Sequence, residues 1–175
     1  MATIALLGIV SCSSEKSNDD ANFKWQIDQF ADLKILRYQV PDFDSLSLKQ
    51  KELVYFLSQA ALSGRDIIYD QNFKYNLAVR RVLDAIYLGY SGDRNDEDFA
   101  KFLVYIKRVW FSNGIHHHYS NEKFLPSFTK EYFAELVKNT PENFFPKELG
   151  TKEEMQTMLV PVIFDPNMAR YRLDQ

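Results

Sequence analysis

The sequence predicts a mainly α-helical α+β chain with very little strand. Three observations lead there. Several long stretches repeat apolar residues at helical spacing between recognisable start and stop signals. One short β-branched run, and only one, reads as extended. Hydrophobic residues make up 46% of the 175-residue chain, with 14 Phe and 10 Tyr, which favours a packed core over disorder.

Before the folded part, Ala2–Val10 is apolar and ends in Ser11-Cys12. It is too short to span a bilayer as a helix. The polar run SSEKSNDDAN follows, with a composition that does not pack. Ile9-Val10-Ser11-Cys12 looks like a bacterial lipoprotein signal ending at a lipidated cysteine, although no Lys or Arg precedes Cys12. On that reading residues 1–22 are signal and tether, with Met1–Ser11 removed. The remainder then hangs as a cell-envelope lipoprotein on the periplasmic side of a membrane. A frayed apolar terminus on a cytoplasmic protein is the alternative. Cys12 is the single cysteine, which excludes an intrachain disulfide framework.

The domain is read as residues 23–175. Phe23, Ile27 and Phe30 stand at helical spacing and predict one or two short turns. Ile35, Leu36, Tyr38 and Val40 predict a strand that Pro41 stops. Ser47 and Gln50 form a capping-box pattern opening a first helix, with Leu53, Leu57 and Ala60 or Ala61 on its apolar face and Gly64 as its stop. GRDIIYDQN is read as a crossing to a second helix, about Phe73 to Leu88, with Leu77, Val79, Val82, Leu83, Ile86 and Tyr87 as its stripe. Asn95 is the expected cap of a third helix, with Asp96, Glu97 and Asp98 at its positive end. Phe99, Phe102, Leu103, Ile106, Val109 and Trp110 form its face, and Asn113-Gly114 its stop. A fourth helix starts at about Ser127 or Thr129. Thr151 and Glu154 form a second capping box. Pro161 and Pro166 predict an extended or irregular end. A lone strand needs a partner; the candidates are Val160–Phe164 or polypeptide outside the sequence.

All three histidines are adjacent, His116-His117-His118, two residues past a helix stop. A zinc site needs three or four ligands converging at about 2 Å. Neighbouring histidines point to different faces of a strand or helix, and neither Asp93 nor Cys12 is marked as a third ligand. The triplet is read either as imidazoles lining a ligand cleft or as a polar turn. Arg65 with Asp66 or Asp70 reads as a local pair holding a loop. Arg80 and Arg81 read as partners of acids on neighbouring helices, or as a site for an acidic group. Tyr75 and Asn76 fit either a cleft or a core edge. Asp19-Asp20 lacks the alternating ligands of a calcium loop.

Absences narrow the function further. There is no His-Glu-x-x-His motif, no glycine-rich phosphate loop and no G-x-S-x-G elbow. The net charge of -3 carries no long basic run, so nucleic acid is not an expected partner.

The strings LKILRYQVPDFDSLSLKQKELVYFLSQAALSGRDIIYDQNFKYNLAVRRVLDAIY and FAKFLVYIKRVWFSNGIHHHYSNEKFLPSF resemble the N-terminal region of bacterial dipeptidyl peptidase III, of the kind found in Bacteroidetes. ILRYQVP, SGRDI and WFSNGIHHHYS carry most of it. The resemblance implies a zinc exopeptidase that removes dipeptides from peptide N-termini, built as two lobes around a wide cleft. The fold class then becomes a partial lobe of a two-lobed metallopeptidase. The family holds zinc with a His-Glu-x-x-Gly-His motif and a downstream glutamate. Neither is present here, so no catalytic or metal-binding residue carries over, and no zinc is expected on this chain. The expected partners are a peptide substrate and the missing C-terminal lobe. Asn113, Gly114, His116 and His118 are the candidates for the substrate or lobe interface, and Cys12 for lipidation. A non-catalytic peptide- or protein-binding lipoprotein, or a structural fragment without activity, is the alternative.

Overall fold

Short β-branched and aromatic segments come first along the chain and long amphipathic ones later. The computed structural model, which describes residues 23–171, follows that order. It divides into a unit ending at Pro41 and a unit beginning at Asp42. The first is an antiparallel hairpin of β1 (Gln26–Phe30) and β2 (Leu33–Leu36). Phe30 faces Leu33, Asp28 faces Ile35, and a bulge separates Asp28 from the Gln26–Leu36 pair. The Arg37 N–H continues the ladder to the Trp25 carbonyl at 2.8 Å.

Two expectations are corrected in this unit. Phe23, Ile27 and Phe30 are not on helical turns, since β1 runs through them or starts just after them. The strand is Leu33–Leu36 rather than a run reaching Val40, and its partner is β1 rather than Val160–Phe164 or absent polypeptide. The two-residue turn, Ala31-Asp32, hides the hairpin from a sequence reading. It carries no glycine, and Ala31 itself takes φ 49°. An alanine there bears a cost that glycine or asparagine would not.

The second unit is helical: α1 (Leu48–Ser63), α2 (Arg65–Asn72), α3 (Asn76–Gly89), α4 (Glu97–Ser112), α5 (Lys130–Lys138) and α6 (Lys152–Phe164). GRDIIYDQN is therefore helix, not a crossing, and α3 starts at Asn76 rather than Phe73. Gly64 ends α1 and opens α2 at once, with φ −83°, so it bends the chain without a left-handed residue. The α4 cap is Asp96, not Asn95, and α5 is capped by the Thr129 hydroxyl. Both capping boxes form as read, Ser47 with Gln50 and Thr151 with Glu154.

α6 also corrects a reading, because Pro161 lies inside it. Proline removes one backbone donor and costs roughly 3 kcal/mol in a helix interior. Burial of Met155, Leu159, Val162 and Ile163 on one side, with the box at the start, outweighs that cost. Replacing Thr151 by Ala should therefore lower stability by about 1 kcal/mol. Chemical denaturation followed by circular dichroism reads that loss.

The core lies among α3, α4, α5 and α6. Val82, Leu83, Ile86, Phe102, Ile106, Val109, Phe133, Leu136, Leu159 and Ile163 are fully buried. Phe128, in the loop before α5, meets the rings of Phe102, Tyr105 and Phe164 at 5.7–5.9 Å. That edge-to-face hub ties α4 to α6 and fixes the path of the loop between α4 and α5.

α1 departs most from expectation. Leu53, Leu57, Ala60 and Ala61 do not pack into a core; none of the helix's sixteen residues is buried. Leu48, Leu53, Val54, Tyr55, Phe56, Leu57 and Leu62 stay between 42% and 72% exposed. Residues 53 to 57 are consecutive, so at about 100° per residue they surround the helix. Helices that are apolar all round are normally buried inside larger proteins.

Candidate functional site

The Trp110–Tyr119 turn is set by the end of α4. Asn113 takes the left-handed region, φ 52° and ψ 43°, and the Gly114 N–H closes back on the Val109 carbonyl at 3.0 Å. This is the glycine-type helix stop that Asn113-Gly114 predicts. Gly114 itself has φ 153°, a conformation that L side chains rarely adopt.

Side chains from α2 and the start of α3 hold this turn. The Arg65 guanidinium donates to the Trp110 carbonyl at 3.1 Å and to Asn113 Oδ1 at 3.4 Å. Asn72 Nδ2 donates to the Asn113 carbonyl at 3.3 Å. Asn76, only 1% exposed, accepts the Ile115 N–H at 3.0 Å and lies directly under Gly114. Arg65 therefore does not pair locally with Asp66. Asp66 pairs with Arg80 and with Arg81 (3.2 Å), while Arg80 also reaches Asp84 at 2.8 Å and Arg81 reaches Glu148 at 2.6 Å. These arginines thus behave as partners of nearby acids. Asn76 supports the turn from the core edge.

Beyond Gly114 the chain forms a small β-like loop. His116 bridges Lys123, the Phe124 N–H meets the Ile115 carbonyl at 2.7 Å, and the His117 N–H meets the Glu122 carbonyl at 2.6 Å. The three imidazoles then differ. His116 is buried, edge-on to Phe73, and its Nε2–H donates to the Ala169 carbonyl at 2.9 Å. His117 Nδ1 accepts the N–H groups of Tyr119 and Ser120 at 3.1 and 3.2 Å, so its neutral ring carries the proton on Nε2. His118 is half-buried, edge-on to Phe111 at 4.9 Å and stacked on His117 at 4.5 Å. Tyr119 lies beside it, 85% exposed.

These residues do not fit a zinc centre. His116 Nε2 is committed to a carbonyl and His117 Nδ1 to two backbone donors. His117 and His118 lie nearly parallel, 23° apart, so their in-plane lone pairs do not meet at one ion. Among the described residues no group of three or more His, Cys, Asp or Glu is placed to hold a metal. No described helix is long and apolar enough to cross a membrane. Cys12 lies outside the described residues.

Of the sequence candidates, Asn113, Gly114 and His116 are parts of one rigid support, and His118 stands at its surface. Sequence reasoning missed the clamp of Arg65, Asn72 and Asn76. With Tyr69, whose phenol also reaches the Trp110 carbonyl at 3.4 Å, they recur at steps of four, three and four residues. That one-sided polar stripe is the signal that was available.

The chain matches no protein-family model, and no curated protein matches it. The likeness to dipeptidyl peptidase III therefore rests on the quoted strings.

Proposed function

We propose that this chain is the N-terminal part of a lobe of a dipeptidyl peptidase III-type exopeptidase. In that setting it shapes the peptide-binding cleft and leaves the hydrolytic chemistry to polypeptide outside the sequence. The observation that carries the reading is α1, whose consecutive Leu53, Val54, Tyr55, Phe56 and Leu57 put apolar side chains on every side of the helix, with none of its residues buried. Such a helix is suited to burial under further polypeptide, and the string containing it is among those that resemble the family. The clamped turn adds support. A cleft wall needs side chains held within fractions of an ångström; Phe111 is presented at the end of α4, and His118 and Tyr119 on the loop after its clamped stop. Peptide backbone and apolar side chains can lie along such rings.

In this reading zinc belongs to the missing region, where the family's metal motif lies; the residues present here do not hold it. This chain orients substrate and excludes water along one wall. Cys12 as a lipid anchor would place that cleft outside the inner membrane.

The test uses the polypeptide encoded continuously with and beyond Gln175, assayed with zinc and a dipeptidyl arylamide. Chelator-sensitive release of the arylamine is the expected result. His118→Ala in that protein should raise KM severalfold with kcat changed less than about twofold, since only binding contacts are lost. A continuation lacking His-Glu-x-x-Gly-His, or a longer protein that releases no dipeptide, overturns the assignment. Membrane association that is unchanged by Cys12→Ser overturns the anchor alone.

A further inference from the structure

We infer that the groove between α2, α3 and the end of α4 binds a monocarboxylate that carries an aromatic or branched apolar group. The groove encloses about 390 Å³, the small end of the range for ligand sites. One wall is the edge-to-face pair Tyr87 and Trp110, 5.2 Å apart at 88°. The indole is fixed, because its Nε1–H donates to Asp84 Oδ1 at 2.7 Å. Leu88, 67% exposed, forms an apolar lip. The buried Tyr69 also lines it; burial pushes its phenol above the ordinary value, and its one O–H is donated to the Trp110 carbonyl.

Charge selects the ligand. Arg80 is paired with Asp84 and shares Asp66 with Arg81. Arg65 has no carboxylate partner among the described residues; its two acceptors are the Trp110 carbonyl and Asn113 Oδ1. A guanidinium has five N–H donors, so three remain. Of the charged side chains that line the groove, Arg65 and Arg80 face one carboxylate, Asp84, so the lining carries one positive charge in excess beside a rigid aromatic wall. A single carboxylate matches the guanidinium fork. A dianion would bring a second negative charge close to Asp84, which both Arg80 and Trp110 already use. The wall and lip add contacts that a bare small anion cannot make. None of this depends on the peptidase reading.

The chain has two tryptophans, Trp25 in the hairpin unit and Trp110 in the groove, so Trp25→Phe leaves one reporter indole. That protein is titrated with N-acetyl-L-phenylalanine, its neutral amide, and acetate, following Trp110 emission. The acid should give a saturable change. The amide should bind about tenfold more weakly, the scale of one charge-assisted contact, and acetate should give no saturation. Arg65→Gln should weaken the acid by a similar factor. Because Arg65 also holds the turn, Leu88→Asp is the second variant. It removes the apolar lip and adds a carboxylate to the groove that Arg65 lines, so it should abolish saturation, with the melting temperature lowered by no more than a few degrees. Equal binding of acid and amide overturns the proposal. So does a saturable response to acetate, acid binding indifferent to Leu88→Asp, or no saturable response up to about 10 mM acid.

Discussion

Gly114→Ala should destabilise the protein by about 3 kcal/mol or more, among the largest effects of any single methyl added to this chain. Three costs fall on one atom. The backbone at φ 153° is one that an L residue rarely adopts. A Cβ there would sit 2.2 Å from Asn76 Nδ2 and 2.6 Å from its Cγ. Asn76 is a flexible side chain in principle, but it is buried and holds the Ile115 N–H. Moving it aside leaves that buried donor unpaired. Denaturant unfolding measures the loss. The combined variant Asn76→Ala with Gly114→Ala should lose less than the sum of the two single changes, because the clash disappears while the backbone strain remains. Additivity within about 0.5 kcal/mol would show that the two residues do not oppose each other.

The second large effect concerns α1. The isolated chain should self-associate with rising concentration and bind a hydrophobic dye strongly, because one helix exposes a cluster of leucine and aromatic side chains. Changing Leu53→Glu, Phe56→Lys and Leu57→Gln together should greatly reduce both signals. Yet stability should change by no more than about 0.5 kcal/mol per site, since none of these residues makes a buried contact. Phe102→Ala on α4, fully buried, should instead cost about 3–5 kcal/mol. Analytical ultracentrifugation and dye titration read the first effect, thermal melting the second. A triple variant that unfolds would mean that α1 is already packed in the isolated chain.

Local chemistry made much of the fold legible. Ser47 with Gln50, Thr151 with Glu154 and the Asn113-Gly114 stop act within about five residues of themselves, and each forms as read; of the two starts offered for α5, Ser127 or Thr129, the cap is Thr129. The misses share a cause of the opposite kind. Ala31 at positive φ makes a hairpin without a turn signature, and Pro161 stays helical because distant core contacts outweigh a local cost. α2 is eight residues with two adjacent β-branched isoleucines, weak by propensity, and is held through Tyr69 and the Asp66 ion pairs. At the site, Asn113 and Gly114 were readable because backbone conformation constrains residue type. The role of His116 was not, because it depends on a partner far along the chain, the Ala169 carbonyl.

The central claim is that this chain supplies a cleft wall and not the hydrolytic centre. Its most direct test is the isolated 175-residue chain, incubated with zinc and a dipeptidyl arylamide, with and without chelator. The account predicts no arylamine release in either arm. Turnover that the chelator abolishes would contradict it, and would place a working metal site within residues to which no ligand role is given above.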